Sequence, residues 1–448
     1  MKKLGFLVLI VGLCCLTSFA SDPDALPANA LRGMHLKHAH PSPSNFKKQG
    51  NIPTPHGFPL GVDTITNFTG HFESQGVYFD GSAHHIWEYS MVGNPPAKGG
   101  TTWFNAPVVP VSMDLRNADG SPRYVKVAAD GSVQTCVNPA DGSAPVGCNR
   151  LFSDVTPFIQ PFVSGPIYGK ANYSSSSVPT QFVDAVQKAE FGNQARPDWH
   201  TLLAPSIKST RTMVLNRGTY QFALNADGTC CFYILVLDPV FGSKLFPPVA
   251  PDNSTVIGSA EVAGDITTKD ISTFLFPNVY LFETNGSCCV LGFHSFDFEA
   301  GDASNGNQLR FYIMNYSSWI SPGIFADPTC STTDPENCFQ DVTAHSHEIS
   351  ETFNDPFVGF DGIHNITPFW QNPAGQCQDL LEDGDVIEDL PNPTVEVAVG
   401  GFKYHPQNES LLPWFEFQKN SSAIDNAYSY PNETGLTALS APQALDCQ

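Results

Sequence analysis

The sequence predicts an α+β domain: a mixed β-sheet with one reactive helix packed on it, many short strands, long loops and disulfide staples. Three observations predict it. Charged residues make up only 15% of the chain and aromatic residues 12%, beside 37 prolines and 36 glycines, a balance that suits short strands and ordered loops rather than long helices. The stretches Asp227–Leu237, Ile271–Phe282, Asn285–His294 and Arg310–Tyr316 are apolar runs that read as buried strands. After them comes Asp341–Pro356, where several reactive side chains fall at helical spacing.

Taken in order, the chain opens with a basic pair, Lys2 and Lys3, then a short apolar run from Leu4 to Leu16 and small residues before a cut near Ala20–Ser21. This is the pattern of a signal peptide over residues 1–20, too short for a membrane span, and no later stretch is long enough for one. An exported protein, secreted or periplasmic, is expected. Residues 21–60 form a Pro- and His-rich leader, expected to be disordered and removable. His35, His38 and His40 cluster there, and copper or zinc binding is the competing reading of that cluster. Residues 61–448 are expected to be a single domain.

Strands are expected from Thr64 to Thr69, at Gly76–Phe79 before an Asp80-Gly81 turn, at Trp87–Val92 and at Ala106–Val111. Turns at Asp119-Gly120, Asp130-Gly131 and Asp141-Gly142 punctuate the next stretch. Pro179–Phe191 reads as a helix stopped by Gly192-Asn193. His200, just after it, reads as a structural hydrogen-bonding group. Leu411–Phe417 reads as packed core near the end of the chain.

The formal net charge is -22, from 44 acidic and 22 basic side chains. Nucleic acid and anionic membrane surfaces call for the opposite sign, so neither is an expected partner. Of the twelve cysteines, Cys14 and Cys15 lie in the signal peptide, which leaves an even number for an oxidising compartment. Cys136 with Cys148, and Cys330 with Cys338, are close enough to staple local loops. The doublets Cys230-Cys231 and Cys288-Cys289 are expected to cross-link to each other, and they lack the Cys-x-x-Cys spacing of a thiolate metal site. Asn-x-Ser/Thr sequons at Asn67, Asn172, Asn253, Asn285, Asn315, Asn365, Asn408, Asn420 and Asn432 predict a glycoprotein if the source is eukaryotic.

The chemistry concentrates in Asp341–Pro356. Val342, Ile349 and Phe353 can share one side of a helix, Asp341 or Thr343 can cap it, and Asn354-Asp355-Pro356 ends it. His347 and Glu351 are four apart and so neighbours on one face, with Glu348 beside them. This is the layout of a His-Glu-x-x-His zinc helix with Glu351 in place of the second histidine, and carboxylate oxygen is an accepted zinc ligand. A catalytic zinc uses three protein ligands and an open position. The third could be Asp385, with Glu382, His405 or Asp355 as substitutes. Glu348 would take a proton from water activated by the metal. His345 points elsewhere, as a supporting or surface group. The competing view is a helix with a polar face and a hydrogen-bonded buried histidine. No Gly-x-Ser-x-Gly elbow or phosphate-binding loop is present, and nothing selects a carboxylate pair for glycoside hydrolysis.

At these residues the chain resembles a group of secreted bacterial proteins of undetermined activity. The likeness runs through Gln187–Phe191, Asp198–Pro205, Cys288–Ser295, Ser346–Glu351 with Asp355–Phe357, Thr367–Trp370, Cys377–Asp385, Tyr404–Gln407 and Pro413–Phe415. More distantly it is similar to the plant cell-wall family called Exordium, or phosphate-induced protein. That family carries a Gly-Tyr-His segment matching Gly292-Phe293-His294, a His-Glu-Leu-Ala-Glu helix followed by Asn-Pro, and a later acidic segment ending in Asp. The resemblance implies a zincin-like helix in an exported single domain, and it favours Asp385 over Glu382 as third ligand. It matches nothing to His405, and around 354–370 this chain has a longer loop.

The expected function is a secreted zinc-dependent hydrolase acting on an extracellular peptide or cell-wall substrate, with His347, Glu351 and Asp385 as ligands and Glu348 as general base. The alternatives are a non-catalytic extracellular protein with a structural metal clip, and a carbohydrate-binding module.

Overall fold

The computed structural model describes residues 21–32, 62–75, 84–173, 178–248, 251–283, 288–325, 339–358, 370–375, 377–378 and 380–439. The signal-peptide segment, the histidines at 35, 38 and 40, the Asp80-Gly81 turn and the Cys330–Cys338 pair lie outside the described residues. Strand makes up 36% of the structure and helix 18%, so the protein is a mixed α/β structure with many sheets and few helices, as the composition implied.

The central sheet has eight strands. Its spine runs, in spatial order, Val62–Asp63, Leu309–Trp319, Ile271–Pro277, Thr101–Arg116 and Arg211–Asn216, all parallel to their neighbours. His200–Ile207 pairs parallel with the first half of Thr101–Arg116. Gly292–Glu299 pairs antiparallel with Leu309–Trp319, which makes the sheet mixed. Side chains alternate between two buried faces. Ile271, Leu275 and Ile313 join the cluster that holds Val342, Ile349 and Phe353 of the Thr343–Asn354 helix. Phe274, Phe276, Met314 and Tyr316 join the cluster behind. Both faces are covered, so these strands are buried along almost their whole length.

Two of the apolar runs are not single strands. Asn278, at a φ of 52°, breaks Ile271–Phe282 into Ile271–Pro277 of the central sheet and Val279–Phe282 of a second, four-stranded sheet. Asparagine tolerates the left-handed region better than most residues. The run at 288–299 likewise leaves the four-stranded sheet at Val290 and enters the central one at Gly292.

The Cys136–Cys148 disulfide is formed as expected. The cross-link between doublets is not: Cys230 bonds Cys231, and Cys288 bonds Cys289, each across a cis peptide. The cause is strand order. Both doublets start strands of the four-stranded sheet, and Val279–Phe282 lies between those strands. Two strand spacings, roughly 9–10 Å, exceed the reach of a disulfide.

Part of the leader is folded rather than disordered. Asp22 and Asp24 bond the fully buried Arg123, and Leu31 is fully buried. Among the sequons, Asn315 and Asn408 are buried and present no surface to a glycan.

The Thr343–Asn354 helix packs on the Gly292–Glu299 and Leu309–Trp319 strands. Burying Ile349 and Phe353 contributes roughly 1.5–3 kcal/mol per side chain. Neither expected cap is used. Val342 occupies the N-cap without a side-chain bond, and Asp341 instead accepts from the Val342 and His405 N–H groups. Thr343 donates to backbone carbonyls at Gln340 and His405. The helix ends at Asn354, before Pro356, as expected.

Candidate metal centre

Every residue of this helix is buried, although most of them are polar. A buried polar group without a partner costs a few kcal/mol, so such a helix persists only with its polar groups satisfied. Ser350 donates to Asp383, Thr352 to the Glu348 carbonyl and Asn354 to Glu190. Ser346 donates to the Thr343 carbonyl and accepts from the Gln407 N–H. His345 is also buried, not at the surface. It stacks on Phe162 at 4.5 Å and sits between Tyr168 and Ser317, and burial pushes its pKa down to about 3. It supports packing and does not face the acids.

The acidic segment after Leu381 returns to the helix. Nε2 of His347 lies 3.1 Å from Oε1 of Glu351 and 3.3 Å from Oδ1 of Asp385. The three residues offer donor atoms all within 4.8 Å of one another. Donors sharing a tetrahedral zinc with bonds of about 2.0–2.1 Å stand about 3.3 Å apart, which matches these separations. The Asp385 N–H donates to Glu351 and ties the returning segment to the helix.

Two residues not singled out as ligands complete the arrangement. His294 enters from the Gly292–Glu299 strand, where alternation puts it on the helix side with Phe296 and Phe298. Its Nε2 faces the Asp355 carbonyl at 3.1 Å. That carbonyl can only accept, so Nε2 carries the proton and Nδ1 turns to the acids. Nδ1 lies 3.4 Å from Glu351, 3.6 Å from Glu382 and 3.7 Å from Glu348. Gln407 does the same for His347: its NH2 donates to the Gly384 carbonyl, and its oxygen takes the Nδ1 proton at 3.1 Å. Nε2 is left as the electron-pair donor. In the sequence they are marked by the segments Cys288–Ser295 and Tyr404–Gln407, which share in the family resemblance.

Of the substitute ligands, Glu382 stands beside His294. Asp355 offers its backbone carbonyl. His405 is not part of the group. Its Nδ1 pairs with Asp341 at 2.7 Å, ahead of the helix, because the chain there turns Gln407 to His347. His200 pairs with Asp184, as a structural group would.

The electrostatics are extreme. Glu348, Glu351, Glu382, Asp383, Asp385 and Glu409 are all buried. Among the described residues, the cations facing this group are the two histidines. Burial pushes the Glu382 and Glu409 carboxyls well above the usual range and Asp383 to about 8. Burial is the largest influence on Glu351 and would raise it, but the charge of His347 and the bonds from His294 and His347 together hold the carboxyl below its ordinary value. Both histidines are raised despite burial, His347 chiefly by Glu351 and His294 chiefly by Glu382. A further acidic set, Glu261, Asp297 and Glu299, contains no histidine.

No protein-family model, no curated protein and no solved structure matches the chain. Among the described residues, no helix is long and apolar enough to cross a membrane.

Proposed function

We propose that this chain is an exported, zinc-dependent hydrolase, peptidase-like in chemistry, with His347, Glu351 and Asp385 as metal ligands on a zincin-like helix. The observation that carries this reading is the convergence of three donors from a helix and a distant returning segment, within 4.8 Å of one another and with both carboxylates 3.1–3.3 Å from His347 Nε2. The donor set of one imidazole and two carboxylates suits zinc, and its second layer is built. Gln407 orients His347, and the Asp385 N–H anchors Glu351.

A zinc ion held there supplies Lewis acidity toward water and a carbonyl group. Glu348 is the proton acceptor. Its Oε1 lies 4.0 Å from His347 Nε2, and burial raises its pKa toward the range where a carboxylate holds a proton in transit. Substrate approach is from the side where His347, Glu348 and Glu388 keep slight exposure, 10%, 7% and 10% of their side chains. Export rests on the N-terminal apolar run and the formed disulfides.

Burial favours a second reading, a structural metal clip without catalysis, because Glu351 and Asp385 have almost no exposure. The test separates the two. The mature chain is assayed for zinc by elemental analysis and for cleavage of a mixed peptide library, beside Glu348→Gln and His347→Ala. The hydrolase reading expects bound zinc, activity lost to chelator, and Glu348→Gln that keeps the fold and the zinc held by His347 but loses cleavage at least 100-fold. Full activity in Glu348→Gln with an unfolded His347→Ala leaves the clip.

A further inference from the structure

The site just described accounts for His347 but not for His294. His294 is fully enclosed, its side chain 1% exposed, and its Nδ1 makes no hydrogen bond. The other nitrogen is fixed on the Asp355 carbonyl, so Nδ1 faces three carboxylate oxygens at 3.4–3.7 Å. A cation belongs between that nitrogen and the acids, either a proton on Nδ1 or a metal ion, and the distances separate the two. Those distances exceed a hydrogen bond and fall near the separation of two ligands on one ion, about 3.3 Å.

Two sets of donors follow from the geometry. One is His347, Glu351 and Asp385, and the other is His294, Glu348 and Glu351. They share Glu351 alone, and neither holds both histidines. The two oxygens of Glu351 divide between them: Oε1 is turned to His347 at 3.1 Å and Oε2 to His294 at 3.4 Å. Glu348 divides in the same sense, with Oε2 toward His294 and Oε1 toward His347. Gly292 makes room for it, since a Cβ at that position would stand 2.7 Å from Cγ of Glu348.

We propose that the protein holds two divalent cations side by side, bridged by the Glu351 carboxylate, the second bound through His294 Nδ1 and Glu348 Oε2. The surroundings suit the count: with both histidines neutral as ligands, Glu348, Glu351, Glu382, Asp383, Asp385 and Glu409 gather six buried carboxyls around the two positions. Paired ions about 3.5–4 Å apart are a recurrent arrangement for hydrolysis, one holding the attacking oxygen and the other the leaving group. Glu348 Oε1, on the His347 side, remains the proton acceptor. This inference rests on the reading of the site as a metal centre and adds the second position.

The mature chain, stripped with chelator and dialysed against Zn2+, is expected to bind two equivalents by elemental analysis. His294→Gln is expected to bind one. Loaded with Mn2+, the wild-type chain is expected to give the exchange-coupled electron paramagnetic resonance spectrum of a close pair, a readout that needs no variant. One zinc equivalent in the wild type, with an isolated six-line Mn2+ spectrum, overturns the second position and leaves the single centre standing. Zero equivalents overturns both.

Discussion

The side-chain oxygen of Gln407 lies 3.1 Å from Nδ1 of His347, while its amide nitrogen bonds the Gly384 carbonyl at 2.7 Å. One residue thereby sets the tautomer of a ligand on the helix and the position of the turn that carries Asp385. Gln407→Leu keeps much of the volume and removes both bonds. Losing a partner of this kind typically weakens metal affinity by about 10–100-fold. Competition with a chromophoric chelator checks it. An unchanged affinity would mean that the His347 ring is oriented by packing alone.

Gly384 lies close against the same ring. A Cβ there would stand 2.6 Å from Nδ1 and 2.8 Å from Cε1 and Cγ of His347. Contacts this short force the imidazole or the turn to move. Gly384→Ala is therefore expected to cut zinc affinity at least tenfold while the thermal midpoint of the metal-free chain changes little. The clash is local, and overpacking costs about 1–3 kcal/mol at most sites. If Gly384→Ala binds zinc as the wild type does, the ring and the turn are looser than this contact implies.

The parts of the site that could be read from the sequence are those that local geometry controls. His347, Glu348 and Glu351 are neighbours because a helix repeats every 3.6 residues, which is visible in one stretch of chain. His294 was not visible as a donor. Its place depends on the register of Gly292–Glu299 against Leu309–Trp319, and on a change of sheet at Leu291 that no local pattern announces. Gln407 was hidden for a related reason, since a glutamine means nothing until the ring it orients is known. The fold followed the same division. The apolar runs were found, but the turn at Asn278 and the strand between the cysteine doublets are decided by long-range pairing.

Residues just after the expected cleavage point are part of the structure. Arg123, with no exposure, donates to both oxygens of Asp22 at 2.6 Å, to Asp24 at 2.8 Å and to the Tyr220 hydroxyl at 2.8 Å. Removing one partner of a buried pair leaves a charge uncompensated and costs about 3–5 kcal/mol. Asp22→Ala is expected to lose stability in that range by urea denaturation. The double variant Asp22→Ala with Arg123→Met is expected to recover part of it. A loss below about 1 kcal/mol for Asp22→Ala would show that Asp24 alone suffices as counter-ion.

Glu416 offers a pH test away from the proposed ligands. It lies between the buried Phe415 and Phe417, and burial pushes its carboxyl up to about 7. The folded state then holds a proton that the unfolded state, near 4.5, has released. Stability contributed by the protonated form is complete below pH 4.5 and falls as pH rises toward 7. Glu416→Gln removes this dependence. It is expected to match the wild type at pH 4.5 and to exceed it at pH 8 by about 1–3 kcal/mol, the carboxyl being partly solvated. The difference between the two chains cancels the titrating groups remote from Glu416 and leaves its own titration with its coupling to Glu190 and Tyr89, which urea midpoints at the two pH values read. A variant whose advantage is the same at both pH values would place the Glu416 carboxyl in water.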